Sequence, residues 1–181
     1  INVTTSTFVQ YASPLLMADD ADAYQVAKMM KACLVAFHAD YTMEEQAKML
    51  NEFITRYNLN ESLKINDLHR NVSAWMAHLE MNVGIKKIYR KYPIRYFEKG
   101  RLFERLMDFL LETDRGYILI QSSGFSGDAS KLRNKALELG NFFHLSKRAV
   151  RDIFKTKNVR TLVHFVLHGT MVELQDRRMG R

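Results

Sequence analysis

Apolar residues that recur every three or four positions, in three separate series between Val26 and Leu79, constrain this chain more than anything else in it. Val26, Met29, Met30, Cys33, Leu34 and Phe37 make the first series; Ala47, Leu50, Phe53, Ile54 and Tyr57 the second; Ile65, Leu68, Val72, Trp75, Met76 and Leu79 the third. That spacing gathers each series on one face of an α-helix, and an apolar helical face must be covered by another element. The boundary signals agree. Asp19, Asp20 and Asp22 suit a first helical turn, and Thr42 with Glu45 three residues on makes a capping box. Asn58 to Ser62 reads as a loop, and Gly84 stands where a helix end favours left-handed backbone. The pattern predicts a three-helix unit over residues 19–84. A Thr/Ser-rich arm precedes it, ending in an apolar anchor of Pro14, Leu15, Leu16 and Met17.

Charge separates the two halves of the chain. Residues 1–85 carry 6 Lys and Arg against 10 Asp and Glu, a net of −4, whereas residues 86–181 carry 21 against 10, a net of +11. Two runs make the basic half: Lys86 to Arg105, with 8 basic and 2 acidic residues, and Lys131 to Arg160, with 9 and 2. A field so concentrated points to a polyanionic partner. In the first run Tyr89, Tyr92, Tyr96 and Phe97 alternate with Lys86, Lys87, Arg90, Lys91 and Arg95. Pro93 biases Tyr92 away from helix, so residues 86–98 read as a basic aromatic connector and a second nucleic-acid contact, suited to phosphates and to unpaired bases.

Beyond the connector, Leu102, Phe103, Leu106, Phe109 and Leu110 fit an amphipathic helix from about residue 99 to 113, stopped at Gly116. Tyr117 to Gln121 is a short β-type run. Leu132, Ala136 and Leu139 mark a helix closing at Gly140, and Ser146 is a candidate N-cap for the next, with Ala149, Val150, Ile153 and Phe154 on its apolar side. From Leu162 the chain alternates up to Gly169 and resumes over Thr170 to Gln175, which favours a β-hairpin, with a helix over 159–168 as the competing reading because both parities are partly apolar.

Helix, short strand, helix, turn, helix, strand, glycine turn, strand: that order over residues 99–175, with Ala136 and Gly140 four apart, resembles the winged-helix family of helix-turn-helix domains. The resemblance implies a third helix lying in the DNA major groove and a hairpin wing beside it. The expected fold is mainly α: an N-terminal helical bundle followed by a winged-helix-like α+β unit with a small β-hairpin. Residues 1–85 would form an acidic domain for self-association or effector contact, and residues 99–181 the nucleic-acid-binding domain.

The helix after Ser146 supports this independently of any family. At about 100° per residue from Lys147, Arg151 lies near 40°, Lys155 near 80° and Arg148 near 100°, with the apolar residues between about 200° and 340°. The candidate DNA contacts are therefore Ser146, Lys147, Arg148, Arg151 and Lys155, extended by Lys157 and Arg160 toward the hairpin and by Lys131 and Arg133 from the preceding helix. Arginines on such a face can bind phosphate and guanine edges alike. The expected function is a DNA-binding protein, a transcriptional regulator or a replication or partition factor, with duplex DNA as the favoured partner and a homo-dimer or larger homo-oligomer as its form. An RNA or single-strand nucleoprotein and a protein-interaction module are the alternatives.

Other chemistry finds little footing. Gln121 to Asp128 is rich in Gly and Ser but lacks the lysine and spacing of a phosphate loop and the pattern of a nucleophile elbow. His164 and His168 on a strand would stand about 13 Å apart, too far to share a metal. Cys33, the single cysteine, has no histidine partner in view. No catalytic set, metal or cofactor is expected. Every apolar run is broken well short of the ~20 residues a membrane span needs. The expected location is the cytoplasm or nucleoid, or the nucleus for a eukaryotic or viral protein. Ile1 leaves residues before it, and a targeting segment among them, open.

Overall fold

The computed structural model describes residues 3–15, 17 and 20–177, the side chains of residues 81–83 excepted, and it folds the three apolar series as three helices. These are α1 (Ala23–Ala36), α2 (Met43–Arg56) and α3 (Ile65–Val83), with Asp20–Asp22 as a 3-10 turn leading into the first. The anchor residue Leu16 and the first-turn acid Asp19 lie outside the described residues. Thr42 and Glu45 exchange both capping-box bonds, Thr42 N to Glu45 Oε2 at 2.8 Å and Glu45 N to Thr42 Oγ1 at 3.1 Å. Gly84 ends α3 in the left-handed conformation.

The rest departs from the expected mainly α architecture. The chain is a mixed α/β protein built on one six-stranded sheet: β1 (Val3–Gln10), β2 (Ile85–Glu98), β3 (Arg101–Thr113), β4 (Gly116–Ser123), β5 (Val159–Phe165) and β6 (Thr170–Asp176), in the order β1-β6-β5-β4-β3-β2. Every pairing is antiparallel except β4 with β5. Two helices, α4 (Leu132–Leu137) and α5 (Gly140–Phe154), form the crossover that this parallel pair requires. Over residues 99–175 the described elements run strand, strand, two helices, strand, strand, in place of the expected helix, strand, helix, helix and hairpin. The segment read as a connector is strand β2, and the segment read as a helix over 99–113 is strand β3. Part of the arm is strand β1, paired with β6. The hairpin at the end is present, β5 and β6 turning around Gly169 at φ 57°.

Physical reasons for the difference sit in the residues of β3. Leu102, Phe103, Leu106, Phe109 and Leu110 satisfy a helical period, but Met107 and Leu111 are apolar too, and all of Met107 to Leu111 is buried. A strand covered on both faces reads as such a continuous run. Lys99 and Gly100 both have positive φ, 49° and 75°, and join Glu98 to its partner Arg101 through a two-residue turn. Paired positive φ values match the right-handed twist of a hairpin. Pro93 is compatible with β2 because β2 is an edge strand.

Parity along the strands separates two cores. Phe109, Leu111, Ile118, Ile120 and Met171 pack with α1, α2 and α3, around Trp75, Met29, Met30 and Leu68. Their sequence neighbours Leu110, Leu119 and Val172 point the other way, with Val163 and Phe165, under Leu132, Ala136, Phe143, Ala149 and Val150 of α4 and α5. The result is three layers, with helices on both faces of the sheet.

Candidate nucleic-acid interface

Helix α5 crosses the second face of the sheet and reaches the edge strand β2. It starts at Gly140, six residues before the expected cap. Ser146 is accordingly not an N-cap: it is fully buried inside the helix, and its hydroxyl donates to the carbonyl of Phe142 at 2.7 Å. Lys147 is buried as well, its ammonium 3.5 Å from Asp176 at the end of β6. Val150 and Ala149 anchor the helix as expected, but Ile153 is 50% exposed, and the burial assigned to it falls instead to Phe143 one turn after the start.

What remains on the outer side is cationic. Arg148 and Lys155 are exposed and Arg151 is half-buried, and none has a carboxylate partner among the described residues. The Nε of Arg151 is buried with no hydrogen-bond partner. The Nε of Arg90 on β2 is in the same state. Lys155 closes the helix in the left-handed conformation, its amide donating to the carbonyl of Arg151. One acid, Asp152, shares this side and is exposed.

Aromatic contacts join α5 to β2. The Phe154 ring stacks on Tyr117 at 4.4 Å between centroids and lies 6.4 Å from Tyr89 and 6.2 Å from Tyr92. Tyr89 and Tyr92 meet edge to face at 5.4 Å, and the ammonium of Lys87 sits 4.7 Å above the Tyr89 ring. The basic helix and part of the basic aromatic segment are thus neighbours, although they are far apart in sequence. Because the tyrosines are packed on Phe154, they serve as a platform between α5 and β2 more than as free stacking surfaces.

The other expected cations disperse. Arg133 turns to the opposite edge of the sheet, donating to Thr5 Oγ1 at 2.9 Å with its guanidinium 5.1 Å over Phe8. Lys131 is exposed in the 3-10 turn Ala129–Lys131, which Asp128 caps. Arg160 forks onto Glu173 at 2.7 and 3.2 Å; that hydrogen bond raises the guanidinium pKa, and the side chain lies with Leu162 and His78 on the α3 side of the sheet. Lys157 lines a cavity of about 590 Å³ with Arg115, Tyr117 and Asn158. On β2, Lys86 pairs with Asp114 at 3.4 Å and Arg95 with Glu104. Arg90 donates to the Phe37 carbonyl at 2.9 Å, and burial lowers its pKa. Of the five connector cations, only Lys87 both lacks such a partner and faces α5.

One polar group escaped the sequence reading altogether. Asp108 is buried where β3 leaves β4; its carboxylate takes the ammonium of Lys91 at 2.8 Å and the amide of Ser122 at 2.9 Å, while its own amide donates to Gln121 Oε1 at 3.1 Å. A single acid inside the run Leu106 to Leu111 was the available signal. No group of three His, Cys, Asp or Glu able to hold a metal ion gathers among the described residues. His164 faces Trp75 on the α3 side, and His168 lies in the turn after β5, its Nε2 2.8 Å from the Gly127 carbonyl. Burial pushes the Cys33 thiol up to about 12.

Fold and surface together define a three-layer α/β protein with a cationic helix set against a basic edge strand. No protein-family model matches the chain, and comparison with curated proteins finds no match. No helix among the described residues is long and apolar enough to cross a membrane.

Proposed function

We propose that this protein binds nucleic acid through the phosphate backbone, with Arg148, Arg151 and Lys155 of α5 and Lys87 of β2 as the gripping residues and duplex DNA as the preferred form. The observation that supports the reading is that Arg148, Arg151 and Lys155, on one side of α5, all lack a carboxylate partner among the described residues. Basic side chains whose role is structural are found paired here, as Lys147, Arg160, Lys91 and Arg95 are. From Arg148 to Lys155 the helix rises roughly 10 Å, a span over which more than one phosphate of a duplex strand is met. Contacts of this kind fix position on the duplex and carry little sequence information, so sequence-independent binding is expected.

Fluorescence anisotropy with a labelled duplex, read over a salt series, tests this. About four phosphate contacts give a slope of log K against log salt near −3.6, and Arg148→Ala with Arg151→Ala lowers that slope by about 2 while weakening binding at every sequence tried. Unchanged affinity in the double variant, with its fold intact by circular dichroism, would reject the proposal.

A further inference from the structure

The β2–β3 hairpin outruns its neighbour in the sheet. β4 pairs with β3 only from Phe109 to Thr113, so the residues of β3 before Phe109 have β2 as their sole strand partner. A two-stranded ribbon standing alone is marginal in water. One of its faces is covered, since Ile94 and Met107 are fully buried in the cluster that contains Ala149 and Val150 of α5.

The reverse face carries three cross-strand pairs in a row: Pro93 with Leu106, Arg95 with Glu104, Phe97 with Leu102. Alternate residues of a strand share a face, so these six form one surface. Phe97 is 77% exposed, Leu102 58% and Leu106 54%. These are three of the seven exposed large apolar side chains among the described residues, gathered on one short ribbon. An apolar concentration of this kind marks an interaction site.

The order along that face is apolar pair, ion pair, apolar pair, and it is self-complementary. We propose that this face docks a second copy of the chain, ribbon upon ribbon, about a two-fold axis that runs along the strands between β2 and β3. Such an axis lays β2 of each copy over β3 of the other. Phe97 then meets Leu102 of the second copy, Pro93 meets Leu106 and Arg95 meets Glu104, each contact occurring twice as an isologous interface demands. An axis across the strands would set Arg95 against Arg95 and Glu104 against Glu104, so the charges select the lengthwise one. Pairing through the free edge of β2 would instead bring the basic side chains of two β2 strands together, an arrangement that edge lysines oppose. Six residues a side is well short of the roughly 20–30 of a standard interface, so the dimer is weak and reversible. It uses the face of the hairpin opposite to Tyr92 and α5, and it stands independently of the nucleic-acid reading.

Sedimentation velocity on the full chain from about 5 to about 500 μM tests the proposal across that range. The wild-type mass should rise from monomer toward dimer. Arg95→Glu alone or Glu104→Arg alone places four like charges at the centre of the docked faces, and each should remain monomeric with an unchanged circular-dichroism spectrum. Mixing the two variants in equal amounts restores opposite charges across the interface, and a heterodimer should appear. A wild-type chain that stays monomeric throughout, single variants that associate as the wild type does, or a mixture that stays monomeric would each overturn it.

Discussion

His164 is wholly buried on β5, its ring parallel to Trp75 at 5.1 Å and its Nε2 2.7 Å from the Tyr11 hydroxyl. Burial disfavours the charged form and pushes its pKa down to about 3, with the neighbouring His78 adding to the effect. In the unfolded chain the same imidazole titrates near 6.5. Below that value the unfolded state takes up a proton that the folded state refuses, so stability falls as pH drops, by about 1.4 kcal/mol per unit down to about pH 3. His164→Phe keeps the stacking area and removes the proton. Urea unfolding at pH 7 and pH 5 should therefore show a loss smaller by roughly 2 kcal/mol in the variant than in the wild type. An equal loss in both would show that the imidazole does not carry the acid sensitivity. Sequence alone had placed His164 on a strand of the hairpin, too far from His168 to share a metal. Nothing in its strand neighbours reveals that Trp75, 89 positions earlier, closes over it.

Among the elements, the three N-terminal helices were legible, whereas half of the sheet and the start of α5 were not. The series from Val26 to Leu79 has polar residues on the other side of each helix, so its period is unambiguous, and the Thr42 box and Gly84 mark ends that the structure repeats. β3 was misread because five of its apolar positions happen to fit a helix, and the decisive pair, Lys99 and Gly100, is a weak form of the hairpin turn that Asn-Gly announces openly. Recognising that turn would have made β2 and β3 a hairpin and removed the wing. The turn also yields a test. Gly100 has φ 75° with no atom crowding its Cβ position, so Gly100→Ala should lower stability by about 1 kcal/mol from backbone strain alone, and Lys99→Asn should raise it, both read from urea midpoints. No loss in the alanine variant would mean that the positive φ is not required there.

For the whole molecule, the charge asymmetry was visible from the start, whereas its division was not. Counting charges from Lys131 to Arg160 treats all nine cations alike. Folding spends Lys147 on Asp176 and Arg160 on Glu173, and turns Arg133 to the far edge of the sheet. It leaves Arg148, Arg151 and Lys155 together and brings Lys87 toward them through the contacts of Phe154 with Tyr89 and Tyr92. That juxtaposition depends on α5 crossing one face of the sheet to reach the edge strand β2, a long-range fact that no local pattern encodes. If these side chains act together as one binding surface, lysine labelling will show it. Acetylation followed by mass spectrometry, with and without duplex DNA, should show Lys87 and Lys155 protected together while Lys28 on α1 and Lys48 on α2 react as in the free protein. Protection of Lys28 and Lys48 in place of Lys87 and Lys155, or no difference at any lysine under conditions where the duplex is bound, would contradict it.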